Sequence, residues 1–235
     1  IGMKSQKKNR SIRRLLRSVF GDWLPELLHH IDEISAKELP QYEKKDIDGV
    51  NVRELYDDLI KMIQNNDDIK NRYGVMTNRH YDVIVKKEQG FGEWWDKDIY
   101  DDYEQTTLIL YDNEKSMNYD DFLYTIMHEV YPGHGFFFDH IKRFFVDKFI
   151  DSGSMFLIEG YATFVEMDTK ISPYADYLKV KYAKLAKQLL NYKMDTHKLS
   201  HASLIYTTQY VGYMESYYFG AFMIDYFIES KKFVS

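Results

Sequence analysis

Apolar residues recur along this chain mostly at helical spacing. Residues 12–37, IRRLLRSVFGDWLPELLHHIDEISAK, read as one or two helices interrupted near Gly21 and Pro25. Asn51 followed by Glu54 resembles a capping box, after which Val52, Leu55, Leu59 and Ile63 mark one helical face. The stretch NNDDIKNRYG reads as a loop. YDVIVKK (81–87) and TTLILYD (106–112) are rich in β-branched and aromatic residues and read as short strands. From Asn118 the pattern is helical almost to the end, with a stripe through Leu178, Tyr182, Leu185, Ala186 and Leu189. The expected fold is mostly α with a small β-sheet. It forms a single domain over 1–235, with a helical N-terminal part (1–95) and a second part (96–235) that carries the candidate chemistry.

Composition narrows the chemistry. The 235 residues are 45% hydrophobic, enough for a substantial core, and their net charge of -6 argues against a nucleic-acid partner. With no cysteine, disulfides, iron–sulfur clusters and thiolate zinc sites are excluded, so a transition metal would need histidine and carboxylate ligands. No stretch reaches the roughly 18 apolar residues of a membrane span. The basic start KSQKKNRSIRRLLRSVF lacks the apolar core of a signal peptide, so a cytoplasmic protein is expected.

One short segment concentrates metal chemistry: HEVYPGH, His128 to His134. Histidines four apart on a helix are about 40° from each other, whereas six apart the second sits about 240° around the helix, on a face that cannot share an ion with the first. Pro132 disfavours helical geometry at Tyr131, and Gly133 permits unusual backbone angles. The helix that starts after Asn118 should therefore break or bulge between Val130 and Gly133, with a new helix near His134. That detour would bring His134 back to the face of His128. Glu129, beside His128, is then placed to activate water as a general base. A hydrolytic site needs a third protein ligand, and Glu159 in the apolar run MFLIEGYATFVEMDT is the candidate, with Glu166 two turns on placed to orient a ligating histidine. Small neighbours, Gly160 and Ala162, let another helix approach Glu159 closely.

HEVYPGH, EGYATFVE and GYMESYYFG, in that order, resemble the HExxPGHH, EGWAxYxE and PGQAxxYxxG motifs of bacterial domain-of-unknown-function family 885. The resemblance covers about residues 100–228. It implies a gluzincin-like zinc metallopeptidase catalytic domain, with His128, His134 and Glu159 as zinc ligands and Glu129 as catalytic base. It also implies Tyr217 as oxyanion donor and, through the segment MDTHKLS, His197 as a substrate-facing donor. Gly135 stands where the family has a second histidine, and Tyr161 where it has tryptophan.

The expected activity is zinc-dependent hydrolysis of peptide bonds, with a peptide as substrate and partner. A strand such as TTLILYD would pair with extended peptide as an added edge strand. The alternatives are a metal-dependent hydrolase of a non-peptide amide or ester, and a catalytically inactive helical metal-binding interaction protein. His29, His30, His80, His140 and His201 have no partner pattern and read as structural. Trp94-Trp95 reads as a loop anchor.

Overall fold

The fold is taken from a computed structural model, which describes residues 12–47, 49–76, 81–88, 90, 92–95, 105–112, 118–141, 152–191 and 213–230. It is mostly helical with a small three-stranded mixed sheet. The described residues group into two compact units, one drawn from 1–42 and 150–235 and the other from 43–149.

In the first unit, α1 (12–20) buries Ile12, Leu16 and Phe20, one residue per turn. A 3₁₀ turn (Gly21–Trp23) follows, with Gly21 at φ 53°, and α2 (Leu24–Ser35) starts with Pro25 in its first turn, where a missing N–H costs nothing. The break expected near Gly21 and Pro25 is this junction. Three longer helices complete the unit: α7 (Ser152–Asp168), α8 (Tyr174–Asn191) and α9 (Tyr213–Glu229). α7 and α9 meet through Gly160 and Gly220. A Cβ on Gly220 would fall 2.1 Å from Phe156 O, and one on Gly160 would fall 2.5 Å from Gly220 Cα. On α8, Leu178, Ala186 and Leu189 of the expected stripe are buried, while Tyr182 and Leu185 are half-buried. Lys184 Nζ ties α8 to the carbonyl of Ser35 at the end of α2, at 2.8 Å.

The second unit opens with α3 (Val52–Asn65), whose Asn51 cap accepts from the N–H groups of Arg53 and Glu54. Val52, Leu59 and Ile63 are buried as the pattern implied. The segment expected to be a loop contains a further helix, α4 (Asp67–Tyr73). Asn66 caps it, Ile69 anchors it in the core, and Gly74 ends it at φ 102°, so residues that punctuate a loop act here as helix boundaries. The sheet runs β1 (Asp82–Lys86), β2 (Glu93–Trp95) and β3 (Thr107–Tyr111) in the order β1-β3-β2. β1 pairs parallel to β3 with Asp82 opposite Thr107, and β2 pairs antiparallel with Trp94 opposite Leu108. TTLILYD is therefore the central strand, flanked by a strand on each side, and is not an edge that an extended peptide could join. Trp94-Trp95, read from sequence as a loop anchor, belongs to β2. Two helices, α5 (Tyr119–Glu129) and α6 (His134–Ile141), complete the unit. The backbone of residues 45 and 46 reaches the start of α5, where Tyr119 N–H donates to Lys45 O at 2.7 Å.

Candidate metal centre

α5 is capped by Asn118, whose side chain accepts from Asp121 N–H at 2.9 Å. The helix stops at Glu129. Val130, at φ -113° and ψ -74°, leaves regular geometry, and the Tyr131–Pro132 peptide is cis. Across the break, Gly133 N–H donates to Met127 O and Phe136 N–H donates to Val130 O, each at 2.9 Å, so the backbone groups around the detour stay paired. α6 then begins at His134. The break and restart fall where the sequence placed them.

Gly133 is dictated by this path. A Cβ there would lie 1.8 Å from His128 O and 2.3 Å from Met127 O, so no side chain fits. Tyr131 is wholly buried, and its hydroxyl donates to Gly74 O; burial also raises its pKa. The result is that His128 and His134, six residues apart, face each other. Their rings are 4.7 Å apart at 87°. Both are buried, as is Glu129 between them in sequence.

Glu159 lies on α7, half-buried, next to the close crossing at Gly160. Ligand atoms of His128, His134 and Glu159 all fall within 4.8 Å of one another. Ligand atoms on a tetrahedral ion with ~2.05 Å bonds stand about 3.3 Å apart. Two imidazole nitrogens and a carboxylate oxygen in this space fit a divalent ion and are the donor types that zinc accepts. Among other divalent ions, those preferring nitrogen and oxygen donors fit as well.

Of the remaining residues singled out in the sequence, Tyr217 is half-buried on α9, with its hydroxyl 2.8 Å from that of Tyr213. His197 lies outside the described residues, as do His80 and His201. Glu166 accepts a hydrogen bond from Tyr182, whose pKa is driven up by burial and by the Glu166 charge. His140 is bound to its own helix through Phe136 O at 2.9 Å.

Comparison with protein-family models, curated proteins and solved structures gave no match.

Three features of the structure were invisible in the linear pattern. His30 is 2.8 Å from Asp225, and Lys179 Nζ bridges Asp225 and Glu229 at 2.7 and 2.9 Å. Although His30, Asp225 and Glu229 have ligand atoms within 4.8 Å, the Lys179 ammonium already supplies the positive charge there. The indole of Trp94 fills the space beside Gly135, where a Cβ would come 3.1 Å from the ring. Gly92 lies against Glu129, where a Cβ would fall 2.6 Å from Glu129 Cγ. None of these has a sequence signal, because each joins residues with no fixed spacing.

Proposed function

We propose that this chain is a metal-dependent peptidase, with zinc as the expected ion, held by His128, His134 and Glu159. The observation that carries the reading is the broken helix that turns two histidines, wrongly spaced for one helical face, towards a common point. The likeness of the three motifs to those of the gluzincin-like family supports it. A structural metal site would have no use for a carboxylate base, and Glu129 directly follows the first histidine.

When bound, the ion supplies Lewis acidity to polarise the scissile carbonyl. Glu129 takes the proton from the attacking water and passes it to the leaving amine. Burial of His128, Glu129 and His134 keeps bulk water away and strengthens each electrostatic contact. Tyr217 donates to the developing oxyanion, with Tyr213 as hydrogen-bond partner holding the phenol. An extended substrate that adds to the sheet would pair with one of its outer strands, since both sides of β3 are taken.

The test has two parts. Purified protein should hold about one divalent ion per chain, and His128→Ala, His134→Ala and Glu159→Ala should each lower occupancy. Glu129→Gln should keep the metal and the fold yet abolish cleavage of a peptide library followed by mass spectrometry. Full metal in all three ligand variants, or undiminished cleavage in Glu129→Gln, overturns the proposal. Metal binding with no cleavage of peptides leaves hydrolysis of another amide or ester to be tested with the same variant.

A further inference from the structure

Gly92 immediately precedes β2, and its backbone lies on one face of α5. Built at this position, a Cβ would fall 2.6 Å from Glu129 Cγ and 2.8 Å from Thr125 Cγ2. Thr125 and Glu129 are four residues apart and share that face. Thr125 is held by its own hydroxyl, which donates to Asp121 O at 2.8 Å, leaving its methyl towards Gly92. Carbon atoms in ordinary contact are about 3.5–4.0 Å apart. The strand backbone can press this closely on the glutamate only because position 92 has no side chain. The requirement is one of space, since Gly92 is not among the glycines with positive φ.

A glutamate carries several rotatable bonds, and as a base it is effective only if its carboxylate is aimed. We propose that Gly92 is a positioning residue for Glu129: bare backbone at the start of β2 pins the methylene stem against Thr125 and fixes where the carboxylate points. The proposal rests on the reading of Glu129 as general base. A methyl at 92 displaces the stem by roughly 1 Å, a misplacement that costs on the order of 100-fold in rate. The metal ligands themselves are not pressed by Gly92, so binding of the ion is spared.

Two measurements test it. In the first, Gly92→Ala should lower kcat about 100-fold, with KM and zinc affinity within about twofold of the parent. Adding Thr125→Ser, which removes the crowding methyl but keeps the hydroxyl bond to Asp121, should recover part of the loss. A merely structural glycine would give neither the kcat-only effect nor that rescue. The second measurement needs no turnover. Gly92→Ala should lower the melting temperature of the parent protein, and by less than half as much in a Glu129→Ala background, where the stem is gone. If Gly92→Ala does not fold on its own, recovery of a folded protein in the Glu129→Ala background supports the proposal, and failure there too overturns it. Equal melting shifts in both backgrounds, or an unchanged kcat, likewise overturn it. A parent protein without activity would sink the base reading, whereas the melting comparison would still decide whether Gly92 holds Glu129.

Discussion

His30 and Asp225 are 195 residues apart in sequence yet 2.8 Å apart in the fold, with Lys179 on the other oxygen of the same carboxylate. Burial raises the pKa of Asp225, but the His30 hydrogen bond and the Lys179 ammonium outweigh it and hold the carboxyl below its ordinary value of 3.8. A depressed folded-state pKa stabilises above 3.8, and that contribution disappears as pH falls through the lower, folded value. Lys179 behaves in the opposite sense. Burial lowers its pKa, yet Asp225 and Glu229 together raise it above 10.5, so its contribution is complete below 10.5 and is lost at more alkaline pH. Asp225→Asn leaves the partly buried Lys179 ammonium with Glu229 as its carboxylate partner and should cost about 2 kcal/mol at neutral pH. Thermal melts from pH 2 to 11 should show the parent losing stability at both extremes and the variant having a flatter profile. Overlapping profiles would show that the cluster contributes nothing.

At the scale of elements, two close approaches shape the molecule. One is the detour of Val130–Gly133, which was legible in sequence because proline and glycine are punctuation with a mechanical meaning. The other is the crossing of α7 and α9 beside Glu159. Gly160 and Ala162 hinted that some helix would come close, but which helix was not legible, since packing partners have no sequence spacing. In Gly220→Ala the new methyl meets a backbone carbonyl, Phe156 O, that cannot rotate aside. The helices must separate, at a cost of about 3 kcal/mol. Glu159 moves with α7, so the metal affinity proposed for this site should fall as well, a change that zinc titration calorimetry on the folded variant would register. Unchanged stability would mean that the crossing has slack. α4 and β2 escaped the sequence reading for a shared reason. α4 has only 7 residues and β2 only 3, too few for periodicity to register.

For the molecule as a whole, the class was legible: mostly helical, with a small sheet and without cysteine. No helix among the described residues is long and apolar enough to cross a membrane. What the sequence could not convey was strand order, because β3 comes last of the three described strands but lies in the middle of the sheet. An ion that binds the folded chain alone adds about 4 kcal/mol at a thousandfold excess over Kd, on the order of 10 °C in melting temperature for a chain of this size. Zinc should therefore raise the melting point of chelator-treated parent protein and leave His134→Ala unmoved. Equal responses would place the bound ion elsewhere.

The middle position of β3 has a consequence for how the second unit breathes. All five of its residues, Thr107 to Tyr111, are buried, whereas β1 leaves Ile84 and Val85 exposed. An edge strand can fray without disturbing its neighbour, but a central strand opens only when its flanks have gone. In heavy water, the amides of Leu108, Ile109 and Leu110 should be among the last in this unit to take up deuterium, well after those of β1. Such a gradient, read by mass spectrometry of peptic fragments, would identify the strand least able to open, at the centre of the three-stranded sheet.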